Sequence, residues 1–215
     1  MKRKGPSEIL ITRLKEEFKL QNFIETGTFS GDTAVWAGGR FEKVMTIEFS
    51  KEIYEQTKAK YSDRKNIEFL FGDSRELLKS VLDKLKAPSV IWLDGHWSGV
   101  STYGKGDECP LLKEIEIINS SVHDNFIFID DARYFLYPPP KPHDSLMWPT
   151  VKDVMVALDS SKKKLYTVIF EDVIIAVPEY ARDAVENYCL ETDEREAAEK
   201  RPGKFSRIIK LLLNN

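Results

Sequence analysis

The sequence predicts an α/β fold with a mostly parallel seven-stranded sheet, an antiparallel final strand and helices on both faces. Short apolar runs alternate with helix-like segments along most of the chain, which is typical of a parallel sheet. The runs are nearly continuous, as expected for strands that are covered on both faces. The last two runs, Leu165–Phe170 and Val173–Val177, are only two residues apart. This is too close for a parallel crossover, so we expect an antiparallel hairpin.

Hydrophobic periodicity places the elements in order along the chain. The first part is predicted as a helix over Glu8–Lys19, a strand over Asn22–Thr26 and a helix from Gly31 to about Trp36. Strands and helices then alternate, in this order: Val44–Glu48, Lys51–Tyr61, Ile67–Phe71, Arg75–Leu85, Val90–Asp94, Leu111–Ile118, Asn125–Asp130 and Thr150–Leu158. Because helices connect these strands, neighbouring strands should run parallel.

Length and composition favour one compact unit. A chain of 215 residues with 42% hydrophobic content is long enough to bury a substantial core. We predict a single domain over 1–215, with its core over about 22–178, an N-terminal helix over 8–19 and a C-terminal tail over 179–215. The formal charge is −3, from 32 Lys and Arg against 35 Asp and Glu, which argues against a nucleic-acid partner.

Cysteine usage and the apolar runs bear on location. Cys109 and Cys189 have neither the spacing of metal ligands nor that of a disulfide framework. The first residues contain no apolar segment of a secretory signal, and the longest apolar runs are far too short to cross a bilayer. We therefore expect a cytoplasmic protein with no membrane partner.

Two long loops follow strands at the edge of the sheet where open α/β sheets bind ligands. The loop Trp97–Pro110 contains three glycines, and Tyr137–Pro149 contains five prolines flanked by aromatic residues. Their length and composition favour lids over a site, with ordinary surface connections as the alternative. The segment Glu191–Arg201 is rich in charge and is expected to be a solvated helix or tail.

The stretch FIETGTFSGDTA, residues 23 to 34, joins the first strand to a helix through small residues. Its glycines follow a G-x-x-x-G pattern after Glu25, not the G-x-G-x-x-G pattern that binds a pyrophosphate. Glu25 would attract a cationic group such as an ammonium, and Gly27 would allow close backbone approach. Glu48 ends the second strand where an acid accepts hydrogen bonds from ribose hydroxyls, and Asp73 could accept from an adenine amino group. These positions suit a nucleoside that carries an amino acid.

The sequence resembles the class I S-adenosylmethionine-dependent methyltransferases in four motifs that occur in register. IETGTFSG, TIEFS, FGDS and LDGH stand in the expected order over roughly Phe23–Val177. The resemblance implies a Rossmann-like fold and S-adenosylmethionine as cofactor. The cofactor-binding positions that it implies are Glu25, Gly27, Thr28, Phe29, Ser30, Gly31, Glu48, Phe49, Asp73, Ser74 and Asp94.

Three carboxylates are expected to meet where the fourth and fifth strands end. Asp94 follows the fourth strand, and Asp130 and Asp131 follow the fifth. If these strands are neighbours, the three acids repel each other unless a cation lies among them. Hard oxygen ligands suit Mg²⁺ or Mn²⁺, which would lower the pKa of a substrate alcohol. The alternative is the start of a turn with exposed carboxylates. Arg133 is expected to pair with Asp130 or Asp131 rather than to contact the substrate.

The arrangement is similar to that of metal-dependent small-molecule O-methyltransferases of the catechol type and the macrocin type. The resemblance implies that Asp94, Asp130 and Asp131 are metal ligands, with Asp94 and His96 as catalytic residues. His96 lies two residues after Asp94, where the sugar-modifying enzymes have a general base or its neighbour. The chain lacks the lysine that the catechol type has near this place. Trp97 is expected to face the adenine or the sulfonium, and Trp92 to belong to the core.

The favoured function is Mg²⁺-assisted O-methylation of a small hydroxylated molecule, a sugar or a catechol-like ring. A nucleic-acid base methyltransferase would carry an N/D-P-P-aromatic run after the fourth strand, where this chain has LDGHW. A nicotinamide dehydrogenase would need the three-glycine turn. A non-catalytic domain that binds S-adenosylmethionine or a metal stays open, as do other acceptor classes. The apolar Ile208–Leu213 segment would pack either on its own core or on a second copy in a homodimer.

Overall fold

The computed structural model describes residues 5–97 and 106–200. Three features singled out above lie wholly or partly outside these ranges: much of the Trp97–Pro110 loop, the last residue of the Glu191–Arg201 segment and the Ile208–Leu213 segment. The remaining elements and all predicted site residues are described.

Seven strands form one sheet in the order β3-β2-β1-β4-β5-β7-β6. The strands are β1 Asn22–Thr26, β2 Lys43–Glu48, β3 Ile67–Phe71, β4 Ser89–Leu93, β5 Phe126–Ile129, β6 Leu165–Phe170 and β7 Val173–Pro178. The pairs among β1 to β5 are parallel, and β7 is antiparallel to both of its neighbours. The predicted fold is confirmed, with β7 as the single antiparallel strand.

Eight α-helices accompany the strands over the described ranges. They are α1 Glu8–Phe18, α2 Asp32–Gly38, α3 Lys51–Lys60, α4 Ser74–Asp83, α5 Leu111–Asn119, α6 Arg133–Leu136, α7 Val151–Asp159 and α8 Arg182–Lys200. Short 3-10 helices occupy Ser145–Met147 and Glu179–Ala181. The sequence reading missed α6 and both 3-10 helices, and it placed the helical or tail segment at Glu191–Arg201 although α8 begins at Arg182. None of the helices in the described ranges is both long and apolar enough to cross a membrane.

Four of the helices begin at a residue whose side chain caps the first turn. Ser7, Ser50 and Asp73 accept hydrogen bonds from the first turns of α1, α3 and α4. Thr150 and Asp153 form a reciprocal capping box at α7. These caps lie directly after strands or loops, so they fix where the chain leaves the sheet edge and enters a helix.

The core lies on both faces of the sheet, which explains the continuous apolar strands. One cluster packs alternate strand residues such as Phe23, Trp92 and Phe128 beside buried residues of α1, α2 and α8. The other packs residues such as Ile24 and Ile91 against α4, α5 and α7. Trp92 is fully buried, as expected for a core residue. Both faces are therefore covered, and the carboxyl edge of the sheet carries the polar residues.

Candidate active site

The sheet order brings the predicted site residues to one edge. β1 pairs with β2 on one side and with β4 on the other, and β4 pairs with β5. The loops that follow these parallel strands therefore emerge side by side. The GTFSG turn lies next to the LDGH segment, and the LDGH segment lies next to the Asp130–Asp131 pair.

Glu25 is buried at the end of β1 and is held by hydroxyl groups. Its side chain is 2% exposed, and Thr46 Oγ1 donates to its Oε2 at 2.6 Å. When Glu25 is ionised it accepts the Thr46 proton, and Thr28 Oγ1 is then the donor in the 2.6 Å contact between Thr28 and Thr46. Burial raises the pKa of Glu25 to about 8, with a smaller opposing effect of the Thr46 hydrogen bond. A cationic ligand group nearby would stabilise the ionised form.

Gly27 and Gly31 shape the turn after β1 through tight contacts. Gly27 has a φ of +86°, and a Cβ built there would lie 2.2 Å from the carbonyl oxygen of Asp94. Gly31 has a φ of +80°, and its Cβ would lie 2.7 Å from a methyl carbon of Thr57. The sequence reading assigned Gly27 to close approach of a ligand. The structure supplies a different close neighbour, since Gly27 lets the turn press against the end of β4.

Glu48 ties the turn after β1 to the end of β2. Its Oε2 accepts the backbone N–H of Phe29 at 3.0 Å, and its Oε1 accepts that of Ser50 at 2.8 Å. Each carboxylate oxygen can accept a further hydrogen bond, so ribose hydroxyls remain chemically suitable partners. Phe29 is 63% exposed and Phe49 is 46% exposed, so two aromatic rings stand at this corner of the edge.

Ser30, Asp73 and Ser74 have partners within the protein. Ser30 donates to Asp32 at 2.8 Å. Asp73 accepts the backbone N–H of Arg75 at 2.9 Å and forms an ion pair of 2.7 Å with its guanidinium. Any hydrogen bond from an adenine amino group to Asp73 would therefore share the carboxylate with Arg75. Ser74 is buried and hydrogen-bonds Glu114, a buried acid whose pKa is raised by burial.

The acids after β4 and β5 meet His96. His96 Nε2 lies 3.0 Å from Asp131 Oδ2 and 3.7 Å from Asp94 Oδ1. The imidazole is 8% exposed, and its ring packs edge-on against Trp148 at 5.1 Å. Asp130 Oδ1 accepts the backbone N–H of Asp131 at 2.7 Å. The structure thus brings all four predicted residues of this part of the site together.

Burial and mutual repulsion set the charges of this cluster. Burial, opposed by His96 and reinforced by Asp130 and Asp131, raises the pKa of Asp94 to about 7. Burial and the charge of Asp131 raise the pKa of Asp130 to about 6. Burial also acts to raise the pKa of Asp131, but His96 and Arg133 lower it below its usual value. Burial lowers the pKa of His96, but the Asp131 hydrogen bond and the neighbouring carboxylates raise it overall.

Arg133 pairs with Asp131, one of the two acids predicted as its partner. Arg133 Nη1 lies 2.5 Å from Asp131 Oδ1, and the same guanidinium forms an ion pair with Asp172 of the β6–β7 turn. One oxygen of Asp131 therefore faces Arg133 and the other faces His96. The role of Asp172 had no signal in the sequence, because it depends on β7 lying next to β5.

The three aspartates after β4 and β5 fit the predicted metal site only in part. Over residues 5–97 and 106–200, no group of three or more His, Cys, Asp and Glu side chains is placed to hold an ion. Asp131 does not fit the ligand role expected for it, because both of its oxygens face cationic or hydrogen-bonding side chains. Asp94 and Asp130 repel each other electrostatically, and these two carboxylates are the part of the set that suits a cation.

Glu108 is a buried acid near His96 that was not among the predicted site residues. Glu108 accepts the indole N–H of Trp148 at 2.7 Å and the backbone N–H of Asp144 at 3.0 Å. His143 Nδ1 also lies 3.2 Å from Glu108. The proline-rich loop is thereby fastened to the loop after β4, beside His96. Trp97 packs edge-on against His143 at 5.1 Å, so its contact is with this loop.

Comparisons with known proteins bear on the fold. No protein-family model matches the sequence, and no curated protein sequence matches it. Solved structures do match it in fold. A caffeoyl-CoA O-methyltransferase candidate from Staphylococcus aureus has a TM-score of 0.57 at 18% identity, over 82% of this chain and 85% of that one.

Two further solved structures are similar. The O-methyltransferase TomG from Streptomyces achromogenes, involved in tomaymycin synthesis and solved with SAM, has a TM-score of 0.53 at 12% identity, over 82% of each chain. The SAH-bound methyltransferase PaMTH1 from Podospora anserina has a TM-score of 0.54 at 15% identity, over 79% of this chain and 76% of that one. The chain therefore has the Rossmann-like fold of the class I, S-adenosylmethionine-dependent methyltransferases.

Proposed function

We propose that the protein is an S-adenosylmethionine-dependent O-methyltransferase that acts on a small hydroxylated molecule, a sugar or a catechol-like ring. The observation that carries the proposal is the placement of the His96–Asp131 pair directly beside the turn that follows β1. Gly27 of that turn touches the backbone of Asp94, and His96 lies two residues after Asp94. A donor on the turn and an imidazole base would then face one acceptor.

The donor would lie over the ends of β1 and β2. Glu25, whose pKa burial raises to about 8, is suited to a nearby ammonium group of the amino-acid part. The free lone pairs of Glu48 suit the ribose hydroxyls, and the exposed rings of Phe29 and Phe49 suit the base. The similar fold of the SAM-bound and SAH-bound proteins supports this choice of cofactor.

The chemistry is a methyl transfer with loss of one proton. The acceptor oxygen attacks the methyl carbon, the carbon–sulfur bond breaks, and S-adenosylhomocysteine leaves with the electron pair on sulfur. The hydroxyl proton passes to His96. When the ring is neutral, Nε2–H points to Asp131, so Nδ1 is the nitrogen with a free lone pair. Asp131 stabilises the imidazolium that forms.

Metal assistance by Mg²⁺ or Mn²⁺ is a separate part of the proposal. Asp94 and Asp130 would hold the ion, which would lower the pKa of the acceptor hydroxyl. Their electrostatic repulsion supports a cation at this place, and the engagement of Asp131 by Arg133 and His96 limits the protein ligands to these two. Loss of turnover on chelation, restored by Mg²⁺, would support this part. Unchanged turnover in excess EDTA would remove it without affecting the proton transfer to His96.

We propose a small molecule as the acceptor, and a nucleic acid is disfavoured because the chain carries a net charge of −3. Calorimetry with S-adenosylmethionine, S-adenosylhomocysteine and NAD tests the donor, and we expect binding of the first two only. A labelled-methyl assay against a panel of phenols, catechols and sugars tests the reaction. Binding of S-adenosylmethionine without transfer to any member would favour a non-catalytic binding domain.

A further inference from the structure

The β6–β7 turn consists of two acids in a strained conformation. Glu171 and Asp172 have φ angles of 49° and 70°, as both central residues of a two-residue hairpin turn of this hand require. Glycine and asparagine are the usual residues at such positions, because a Cβ makes this conformation unfavourable. Two acidic residues there need an explanation in terms of their side chains.

Both side chains are used. Asp172 Oδ1 accepts the backbone N–H of Arg133 at 2.9 Å, its Oδ2 pairs with the Arg133 guanidinium, and its carbonyl accepts the N–H of Ala132 at 2.8 Å. Glu171 accepts the hydroxyl proton of Tyr188 on α8 at 2.8 Å. The turn thus connects to the candidate site through Asp172 and to α8 through Glu171.

The connection continues from Arg133 to the imidazole. Arg133 Nη1 faces Asp131 Oδ1 at 2.5 Å, and Asp131 Oδ2 faces His96 Nε2 at 3.0 Å. Asp131 itself has a left-handed φ of 55°. Five non-glycine residues in the described ranges have a positive φ; two of them, Asp131 and Asp172, contact Arg133, and a third, Glu171, precedes Asp172 in the turn. Backbone strain collected at one place is a reason to look for a function there.

We propose that Asp172 is a positioning residue for His96. It fixes the Arg133 guanidinium, which holds one oxygen of Asp131 and so directs the other oxygen to the imidazole. This inference rests on the proposed function, in which His96 receives the hydroxyl proton. It assigns Asp131 to the orientation of His96, and it gives the hairpin turn, 76 residues after His96, a part in the reaction.

The test rests on two opposite properties of Asp172: its positive φ is unfavourable for a residue with a Cβ, whereas its carboxylate makes the contact with Arg133. Asp172→Gly removes the carboxylate and relieves the strained φ, so the protein should melt at the same temperature as the parent or higher, while kcat falls roughly 10- to 100-fold. The KM for S-adenosylmethionine should change little. Glu171→Gly is the matched control, since it relieves the neighbouring residue without removing a contact to Arg133, and its kcat should equal that of the parent.

A conservative variant sharpens the result. Asp172→Asn keeps an acceptor for the Arg133 N–H and tolerates the left-handed φ but lacks the charge, so its kcat should lie between those of the parent and Asp172→Gly. Parent-like kcat in Asp172→Gly, measured with an acceptor that the parent methylates, would overturn the proposal. A fall in kcat of the same size in Glu171→Gly would overturn it too, because the effect would then belong to the turn as a whole.

A spectroscopic measurement tests the positioning without any acceptor. In protein labelled with ¹⁵N-histidine, the His96 Nε2–H proton held by Asp131 should give a slowly exchanging signal, assigned by its loss in His96→Asn. This signal should disappear or broaden in Asp172→Gly and persist in Glu171→Gly. An unchanged signal in Asp172→Gly would overturn the inference. If the parent methylates no acceptor, the proposed function fails, and this measurement still decides the positioning.

Discussion

The donor side and the acceptor side of the site hold their carboxylates in different ways. We use donor side for the loops after β1 and β2, and acceptor side for the loops after β4 and β5 with the β6–β7 turn. On the donor side, Glu25 and Glu48 accept hydrogen bonds from neutral hydroxyl and backbone N–H groups. On the acceptor side, Asp131 faces His96 and Arg133.

This difference indicates on which side a carboxylate lacks a positively charged partner within the described part of the chain. Neutral donors stabilise a buried carboxylate less than a cation does, and the pKa of Glu25 is accordingly raised to about 8 by burial. Cationic partners keep the pKa of Asp131 below its usual value although burial opposes them. We therefore expect a positive ligand group beside Glu25 on the donor side, whereas Asp131 on the acceptor side has its positive partners within the chain.

The largest expected effect is that of His96→Ala on the acceptor side. It should lower kcat by about 10²- to 10⁴-fold, because a general base is lost, while affinity for S-adenosylmethionine changes little. Single-turnover kinetics and calorimetry measure the two quantities. His123→Ala, at a histidine that hydrogen-bonds the Leu85 carbonyl, is the control. A comparable loss of donor affinity in His96→Ala would remove the distinction between the two sides.

Gly27→Ala should distort the turn after β1 and weaken ligand binding on the donor side. The added Cβ would lie 2.2 Å from the Asp94 carbonyl oxygen at a φ of +86°, so the turn must move, at a cost of about 1–3 kcal/mol. If this cost falls on the ligand-binding conformation, S-adenosylhomocysteine affinity should fall by about 5- to 150-fold. Gly5→Ala is the matched control, because Gly5 also has a positive φ of +81° but has nothing within 4 Å of a built Cβ. Equal affinity in both variants would contradict the assigned contact.

Glu25→Gln tests the uncompensated charge through its pH dependence. Between pH 4.5 and about 8, folded Glu25 keeps a proton that the unfolded chain has released. Its contribution to stability is therefore present below about 4.5 and is lost as the pH rises through about 8. Glu25→Gln should flatten this loss, and the ligand-free variant should gain about 1–3 kcal/mol relative to the parent at pH 9.

Melting curves at pH 6 and pH 9 measure the difference, with Glu16→Gln, at an exposed position of α1, as the control. S-Adenosylhomocysteine should stabilise the parent more than Glu25→Gln, because its ammonium group would meet the charged carboxylate only in the parent. Identical pH dependence in parent and variant would show that Glu25 is not the titrating group.

The smallest effect is expected for Phe29→Ala. Loss of one exposed ring beside the proposed base site should weaken S-adenosylhomocysteine binding by about two- to tenfold, the range given by single aromatic contacts. The kcat should stay the same. Leu146→Ala, at an acceptor-side residue that is 92% exposed, should leave this affinity unchanged. A reversed pattern would place the donor on the acceptor side.

Most of the fold could be predicted from the sequence, because its signals are local. Each buried strand is a short apolar run, and helices begin at capping residues such as Ser50 and Asp73. The two-residue turn after Phe170 fixed the direction of β7 before its place in the sheet was known. The start of α8 was missed because its polar surface gives little helical periodicity, and α6 was missed because it has only four residues.

The contacts within the site were harder to predict from the sequence. That Asp94, His96 and Asp131 meet depends on β4 lying beside β5, which was expected for the fourth and fifth strands of the inferred sheet. The partners that decide the state of Asp131 depend on longer connections, since Asp172 lies 39 residues from Arg133. Glu108 and Trp148 are 40 residues apart and join two loops that carry no pairing signal. The cofactor and metal roles of the predicted residues stay predictions until a ligand is bound.

The position of β7 has a consequence for the exposure of the edge of β5. β5 pairs with β4 on one side, and its neighbour on the other side is β7, which lies between β5 and β6. Without β7, the apolar strand Phe126–Ile129 would be an open sheet edge, which is the kind of surface that pairs with other chains. The same strand brings the acidic hairpin turn to Arg133. Closure of this edge and the contact of Asp172 with Arg133 therefore both depend on the placement of β7.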